Sequence, residues 1–205
     1  MLVIMALLLG SYLTGSISFA LIIGKTFKGV DIRNHGSGNL GATNAIRVLG
    51  PVLGISVLIL DALKGFLCVF VVDFFIGDIY LAIACGIAAV FGHCFPIYLK
   101  FRGGKGVATG TGVLIALLPW VFLYAFIVWL IVLLITRYVS LASLICALFV
   151  TFFVYFSPDV PNLYLWAVVP GTCFIFFRHR KNIQRIINGT EAKASWFKKK
   201  EVKTS

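Results

Sequence analysis

The chain has 205 residues, of which 60% are hydrophobic and only 12% are charged, and its formal net charge is +11. Soluble domains are about a quarter charged, so a mean hydropathy of +1.03 excludes an ordinary soluble fold and predicts one membrane domain over residues 1–205. Half of the lysines and arginines follow residue 177, as a basic tail from about 178, and the others cluster between apolar runs, which argues against nucleic acid as a partner.

Seven apolar runs predict an all-α protein with seven transmembrane helices. They cover residues 2–24, 51–76, 79–92, 106–118, 120–136, 139–157 and 162–177. The first run lacks the basic stretch of a signal peptide, so we expect a retained helix. A crossing takes about 20 residues, so the runs 79–92 and 106–118 are either tilted and partly re-entrant or extended into the polar segment between them. Pro119 separates two runs because proline breaks or kinks a helix.

The basic residues predict which side of the membrane each polar segment faces. None lies in the expected turns near 77–78, 118–120 and 158–161, so the positive-inside rule places these turns outside, together with the N-terminus. A five-helix alternative, with 106–136 as one bent helix, would put Arg137 outside. The C-terminus is expected in the cytoplasm, where Lys198–Lys200 would touch anionic lipid. The polar segments that share this side are 25–50, 93–106 and 178–205.

The first polar segment contains a glycine-rich stretch, Gly36–Asn44, that predicts an anion site. Its glycines allow tight turns that expose backbone N–H groups, and Ser37 and Thr43 add side-chain donors. We expect residues 42–49 to form a helix whose N-terminus attracts phosphate, with Arg47 adding positive charge one turn inside. The alternative is a flexible polar connection between two helices. The stretch is not a Walker A loop, which needs Gly-Lys-Ser/Thr.

The second polar segment, His93–Gly106, combines three cations with three glycines. The cations alone would suit a positive-inside anchor, but an anchor does not need the run Gly103-Gly104-Lys105-Gly106. A second phosphate-binding loop explains both the charges and the glycines. His93 ends an apolar run, where a histidine is more often structural than catalytic.

Two further pairs of polar residues interrupt or end the apolar runs. Asp61 and Lys64 lie three residues apart inside the second run, where charges are costly and are either functional or paired with each other. His179 and Asn182, also three apart, share one helix face in the basic cluster that follows the last run. That cluster is either a topology anchor or part of a site.

Other patterns narrow the chemistry. Ser140 and Ser143 follow Arg137, but serines in membrane helices often bond only their own backbone. The five cysteines include no Cys-x-x-Cys pair and are expected to be small buried hydrophobes, so neither a disulfide framework nor a metal site is predicted. The sequence contains no His-x4-Asp, Gly-x-Ser-x-Gly or His-Glu-x-x-His motif. No cofactor is predicted.

Several segments together resemble the bacterial acyl-phosphate:glycerol-3-phosphate acyltransferase family, so that the likeness spans nearly the whole chain. They are Gly15–Ile17, Gly36–Asn44 with Arg47, His93–Thr109, His179–Ile183 and Gly189–Glu191. The chain has Ser18 and Leu40 where the family usually has proline. Both differences affect the geometry of a loop rather than a reacting group.

The resemblance implies a seven-helix enzyme of the bacterial cell membrane with its site on the cytoplasmic side. Such an enzyme transfers an acyl group from acyl phosphate to the 1-hydroxyl of glycerol 3-phosphate, and the products are 1-acyl-glycerol 3-phosphate and phosphate. The implied catalytic residues are Arg47, Lys105, His179 and Asn182. The implied substrate-binding residues are Ser37, Gly38, Asn39, Gly41, Thr43 and Asn44 for acyl phosphate, with His93, Gly103, Gly104 and Ser143. The choice of Ser143 over Ser140 rests on no deciding observation.

Alternatives stay open at this point. The proton acceptor could be His179, His93 or a substrate phosphate, and direct transfer with His179 orienting the acceptor is preferred. An organophosphate transporter would use the same cationic loops without chemistry, but it needs access from both faces, and the short outer turns carry no basic residue. A membrane scaffold with basic anchors would leave the glycine pattern unexplained.

Overall fold

The computed structural model describes residues 1–194, so the predicted lipid-contacting tail Lys198–Lys200 lies outside the described residues. This part of the chain is entirely helical, as predicted. Its α-helices are α1 (Leu2–Ser16), α2 (Phe19–Lys28), α3 (Ala42–Leu49), α4 (Pro51–Ile76), α5 (Ile79–Cys94), α6 (Val107–Leu117), α7 (Pro119–Thr136), α8 (Val139–Phe156), α9 (Leu165–Arg178) and α10 (Arg180–Ile187). Short 3-10 turns lie at Ile32–Asn34, Ile97–Leu99 and Asn162–Tyr164.

The apolar runs become helices, but the first run is not one continuous helix as expected. It breaks at Ile17, and the Ser18 hydroxyl begins α2 by accepting a hydrogen bond from the Leu21 N–H at 3.4 Å. Serine is one of the residues that favour the N-cap position, so a new helix begins here and the first helix does not continue. Of the two alternatives for the run 79–92, the structure shows the extension, because α5 continues through His93 to Cys94. Pro119 begins α7, as predicted.

Within residues 1–194, five helical segments are long and apolar enough to cross a membrane. They are Leu2–Lys28, Pro51–Ile76, Ile79–Leu99, Pro119–Thr136 and Val139–Phe156. Helices α6 and α9 are shorter, with 11 and 14 residues. Large hydrophobic side chains such as Phe75 and Trp120 are exposed, as expected for helices that face lipid. The chain is thus a multi-pass membrane protein, while the count of seven crossings and the orientation of the termini stay predictions.

Glycines bring two helix pairs into close contact. A Cβ on Gly15 of α1 would lie 2.1 Å from the Ala89 carbonyl oxygen of α5, and a Cβ on Gly65 of α4 would lie 2.1 Å from the Thr109 carbonyl oxygen of α6. Small residues at membrane helix contacts let the backbones approach and gain dispersion energy. The break after α1, the middle of α4 and the end of α5 meet where Lys64 contacts Ile17 and His93.

The first glycine-rich segment is anchored by its own apolar residues. Ile32 and Leu40 are buried in a cluster with Ala20, Ala45 and Val57, which come from α2, α3 and α4. Leu99 of the second polar segment also packs against this cluster. Apolar burial therefore holds the two polar segments next to each other.

Candidate active site

The Asn44 side chain holds the first glycine-rich segment, Gly36–Asn44, in a closed loop. Asn44 is fully buried, and its Oδ1 accepts a hydrogen bond from the Ser37 N–H at 2.9 Å. Its Nδ2 donates to the carbonyl oxygens of His35 and Asn39, at 3.1 Å each. A buried amide that is satisfied by its own loop fixes the loop's shape. These contacts favour a positioning role for Asn44 over direct contact with a substrate.

Helix α3 begins at Ala42 and forms over 42–49, as predicted. Its N-cap is Gly41, which has no side chain to bond the first N–H groups, so these groups are left for water or an anion. Ser37 and Thr43 are exposed beside this N-terminus. Arg47 is exposed in the last turn of α3, and among the described residues it makes no hydrogen bond or ion pair.

Gly103 and Gly104 of the second polar segment lie directly against His93. The Gly104 N–H donates to the His93 carbonyl oxygen at 3.1 Å, and the Gly103 N–H donates to the Cys94 carbonyl oxygen at 3.2 Å. A Cβ on Gly104 would lie 2.1 Å from His93 Nε2. Packing therefore requires glycine at these positions whether or not the segment binds phosphate. Gly106, with a φ of 84°, begins α6 in the left-handed conformation that favours glycine.

Arg178 at the end of α9 holds the same segment from another side. Its Nη2 donates to the carbonyl oxygen of Gly104 at 2.5 Å and to that of Gly103 at 3.3 Å. The guanidinium carbon also lies 5.2 Å from the centre of the Phe95 ring, which is a cation–π distance. The basic cluster at the end of the last run is thus part of a tertiary contact, beyond any role as a topology anchor.

Lys105 and Asn182, predicted from different segments, meet in the structure. Lys105 Nζ donates to Asn182 Oδ1 at 2.5 Å. Asn182 Nδ2 donates in turn to Glu191 Oε1 at 2.6 Å, so the carboxylate fixes the direction of the amide. Glu191 also accepts hydrogen bonds from Ser140 at 2.7 Å and from Arg185 Nε at 2.6 Å. The second polar segment, α8, α10 and residues 189–191 are therefore joined in one polar cluster.

Burial and neighbouring charges shift the ionisation of this cluster. Burial lowers the pKa of Lys105 to about 8, and the charges of Arg185 and Arg178 lower it further while Glu191 acts in the opposite direction. Burial raises the pKa of Glu191, but hydrogen bonds from Ser140, Asn182 and Arg185 outweigh it, so the pKa lies below its ordinary value. Glu191 is therefore an anion at neutral pH, and Lys105 is mainly a cation.

His179 is buried as the N-cap residue of α10, three residues before Asn182. Its Nδ1 lies 2.8 Å from the Ile175 carbonyl oxygen, which can only accept, so Nδ1 carries the proton. Burial lowers the pKa of His179 to about 4, and the positive charge of Lys105 adds to this effect. At neutral pH the ring is uncharged and Nε2 is the hydrogen-bond acceptor.

Leu40 of the first glycine-rich segment and Gly103 and Gly104 of the second line one tight crevice between the helices. Its walls are Ser16, Ile17, Ser18, Leu40, His93, Pro96, Gly103 and Gly104. Among the predicted site residues, the structure joins His93, Gly103 and Gly104 at this crevice, and it joins Lys105 to Asn182. Ser143 is not joined to it by a hydrogen bond among the described residues, since its hydroxyl donates to the Val139 carbonyl oxygen at 2.9 Å.

Four residues of the site were missed as individual residues: Ser140, Arg178, Arg185 and Glu191. Ser140 was weighed only as the alternative to Ser143. Glu191 left a signal in the sequence, because it is the one acidic residue between 178 and 200, where arginines and lysines abound. An isolated carboxylate in such a stretch indicates a charge partner. In the described part of the chain, no group of three or more His, Cys, Asp and Glu side chains could hold a metal ion, and all five cysteines are free.

The fold and site define a polytopic helical membrane protein with two glycine-rich segments and a cationic polar cluster. A family model described as glycerol-3-phosphate acyltransferase matches residues 5–189. The chain belongs to the glycerol-3-phosphate acyltransferase family, as its motifs predicted.

Relatives of this family match the chain over almost its full length. A glycerol-3-phosphate acyltransferase of Geobacillus kaustophilus is 48% identical and covers 93% of this chain and 95% of its own. One from Bacillus subtilis is 47% identical, with coverage of 93% and 97%. The crystal structure of PlsY, an integral membrane glycerol 3-phosphate acyltransferase, in its glycerol 3-phosphate form is 42% identical, with a TM-score of 0.87 over 93% of this chain and 94% of that one. Its lysophosphatidic acid form is 39% identical, with a TM-score of 0.86 over 95% and 99%.

Proposed function

We propose that this protein transfers an acyl group from acyl phosphate to the 1-hydroxyl of glycerol 3-phosphate. The products are 1-acyl-glycerol 3-phosphate and inorganic phosphate, and the site faces the cytoplasm. The observation that carries the proposal is the contact between Lys105 and Asn182, which joins a glycine-rich cationic segment to the C-terminal cluster. The family membership and the solved relative described in its glycerol 3-phosphate form support the acceptor.

The two substrates match the two sides of the site. The N-terminus of α3 and the Gly36–Asn44 loop offer backbone N–H groups without a side-chain cap, which suits the phosphate of a small anionic donor. Lys105 and Asn182 offer an ammonium and an amide for the phosphate and hydroxyls of glycerol 3-phosphate. Arg47, exposed and without an ion pair among the described residues, is available to the same anions. The acyl chain stays among the apolar helices.

The reaction needs no covalent enzyme intermediate because acyl phosphate is already an activated anhydride. The 1-hydroxyl oxygen attacks the acyl carbon, the bond from that carbon to the phosphate oxygen breaks, and the phosphate leaves with the electron pair. Holding donor and acceptor in this orientation supplies a large part of the rate. Lys105 and backbone N–H groups stabilise the charge that moves onto the carbonyl oxygen and the phosphate.

The low pKa of His179 favours a substrate phosphate over this ring as the proton acceptor. A ring with a pKa of about 4 accepts a hydrogen bond at Nε2 but holds a full proton poorly at neutral pH. Even the dianion of a phosphate monoester takes up a proton near pH 6, and inorganic phosphate is no less basic, so the leaving phosphate is the better final acceptor. His179 therefore orients the 1-hydroxyl, and the phosphate carries the proton away.

The test follows phosphate release by purified protein in lipid, with acyl phosphate and glycerol 3-phosphate. We expect release that depends on the acceptor, with lysophosphatidic acid formed in equal amount. An acyl thioester in place of acyl phosphate is expected to give no product, because the group bonded to its acyl carbon is a thiolate and not a phosphate that the first loop could hold. Acceptor-independent release would indicate an acyl-enzyme intermediate. No product from folded protein would reject the proposal and favour an organophosphate transporter.

A further inference from the structure

Asp61, Lys64 and His93 form a polar cluster inside the helix bundle, apart from the Lys105–Asn182 contact. Asp61 is 1% exposed and Lys64 is 3% exposed, and both belong to a segment that is apolar enough to cross the membrane. Burying charged groups in such a segment costs free energy, so these groups are expected to have a structural or functional role. The predicted ion pair between Asp61 and Lys64 is confirmed, with Nζ and Oδ1 at 2.7 Å.

The Lys64 ammonium has three neighbours for its three N–H bonds. They are Asp61 Oδ1 at 2.7 Å, the Ile17 carbonyl oxygen at 2.8 Å and His93 Nδ1 at 3.0 Å. The Ile17 carbonyl lies at the break between α1 and α2, where the chain is not helical. Lys64 thus ties the helix break, α4 and the end of α5 together in one place.

The contact with Lys64 also sets the proton on His93. His93 Nδ1 lies 3.0 Å from Lys64 Nζ and 3.6 Å from Asp61 Oδ1; because the nearer partner is an ammonium, which can only donate, Nδ1 is the acceptor and the ring proton is on Nε2. The Nε2 side of the ring faces Gly104, because a Cβ at that position would lie 2.1 Å from Nε2. The ring therefore stands between the buried ammonium and the glycine pair that precedes Lys105.

We propose that Asp61, Lys64 and His93 are positioning residues for Lys105. The Asp61 carboxylate neutralises the Lys64 ammonium, and the ammonium fixes the plane of the His93 ring. The ring in turn packs against the Gly103–Gly104 backbone. The Gly104 N–H bond to the His93 carbonyl oxygen, at 3.1 Å, adds a second connection. Arg178 donates hydrogen bonds to the carbonyl oxygens of the same two glycines, so the contacts of His93 and Arg178 together fix the backbone from which the Lys105 side chain extends.

This inference rests on the proposed acyl transfer, and the expected effect is on acceptor binding. A shift of about 1 Å in a substrate-positioning group can cost about a hundredfold in rate. We expect the double variant Asp61→Leu/Lys64→Met to fold, because replacing both members of a buried ion pair by apolar residues is often neutral for stability. The Michaelis constant for glycerol 3-phosphate is expected to rise about tenfold or more, and that for acyl phosphate to change less than threefold.

Two substitutions of His93 separate positioning from direct binding of substrate. Asparagine places its carbonyl oxygen where Nδ1 was and can accept from Lys64, whereas glutamine reaches the position of Nε2. We expect His93→Asn to retain severalfold more activity than His93→Gln. Greater activity of His93→Gln would overturn the inference, because it would mean that His93 acts on substrate through Nε2.

The measurements use the full chain in lipid, with initial rates over both substrates and thermal unfolding as the check of folding. Asp73→Asn is the matched control, since Asp73 is an exposed acid on the same helix. Acceptor-dependent phosphate release by the unaltered protein tests the proposed function separately from this inference. Given that release, a folded double variant with unchanged Michaelis constants for both substrates would overturn the positioning role.

Discussion

The two glycine-rich segments reach compact shapes by different means. The first, Gly36–Asn44, is closed by one of its own residues, because Asn44 bonds the backbone at Ser37, His35 and Asn39. The second, Gly103–Gly106, is held from outside by His93 of α5, Arg178 of α9 and Asn182 of α10. One segment is a local structure, and the other is assembled by the tertiary fold.

This difference separates the consequences of altering each segment. Changes in the first segment are expected to stay within it, and to affect the substrate bound at the N-terminus of α3. Changes around the second segment are expected to spread, because Lys105 depends on contacts from three helices. The kinetic constants for the two substrates can therefore report on the two segments separately. The predictions below range from the largest expected effect to the smallest.

Lys105→Ala is expected to give the largest loss. It removes the ammonium that contacts Asn182 and that, in the proposed reaction, stabilises developing negative charge. Removing one such group from an active site costs about 10²–10³ in turnover. Initial rates over both substrates measure it, with Lys100→Ala as the control because Lys100 is an exposed cation in the same polar segment. Equal losses in the two variants would mean that only the basic charge of the segment matters.

Gly104→Ala tests whether the second segment is held by packing. The new Cβ would lie 2.1 Å from His93 Nε2, so either the ring or the backbone must move. Overpacking of this kind costs about 1–3 kcal/mol of stability and displaces Lys105. We expect a lower unfolding temperature and about a tenfold rise in the Michaelis constant for glycerol 3-phosphate.

The control for this variant is Gly171→Ala in α9. Nothing lies within 4 Å of a Cβ at Gly171, and alanine favours a helix over glycine. We expect unchanged kinetics and an unfolding temperature that is equal or slightly higher. Normal kinetics in Gly104→Ala as well would show that the contact with His93 does not position the segment.

Asn44→Ala tests the first segment. It leaves part-buried backbone groups at His35, Ser37 and Asn39 without their side-chain partner, at a total cost of about 1–3 kcal/mol. Because the damage is local, the Michaelis constant for acyl phosphate is expected to rise severalfold while that for glycerol 3-phosphate changes little. Asn34→Ala, at an exposed position in the preceding 3-10 turn, is the control. Equal rises for both substrates in Asn44→Ala would contradict the separation of the two segments.

The sequence predicted most of the helices and the start of α3 because their causes are local. Apolar runs and Pro119 set the helix limits, and the turn residues before Ala42 set the start of α3. The pairing of Asp61 with Lys64 followed from their spacing and the cost of burying charge. The break at Ile17 was missed because Ser18 acts through a single cap that a long apolar run conceals.

Tertiary contacts explain what could not be predicted from the residues. Ser140 and Ser143 are the same type of residue and lie three positions apart near the start of α8. Only the return of residues 189–191 shows that Ser140 contacts Glu191, while Ser143 bonds its own helix. The glycines at 103 and 104 were read as phosphate ligands, but their contact with His93 depends on the packing of α5 against the loop. Such a contact leaves no mark in local spacing.

The smallest expected effect is a loss of activity at alkaline pH, which we attribute to the second segment alone. Burial lowers the pKa of Lys105 to about 8, so the ammonium is present below that pH and is lost above it. The ratio kcat/KM reports ionisation of the free enzyme, and it is expected to fall about fourfold between neutral pH and pH 8.5. Initial rates, corrected for spontaneous hydrolysis of acyl phosphate, measure the profile.

Lys105→Arg identifies the group responsible for this loss. The guanidinium stays charged far above pH 8, so the variant, although slower at neutral pH, is expected to keep its rate to at least pH 9. Asn44→Ala, which alters only the first segment, is expected to keep the alkaline limb near pH 8. If the limb persisted unchanged in Lys105→Arg, its source would be another group, and the charge of Lys105 would not be what the second segment supplies.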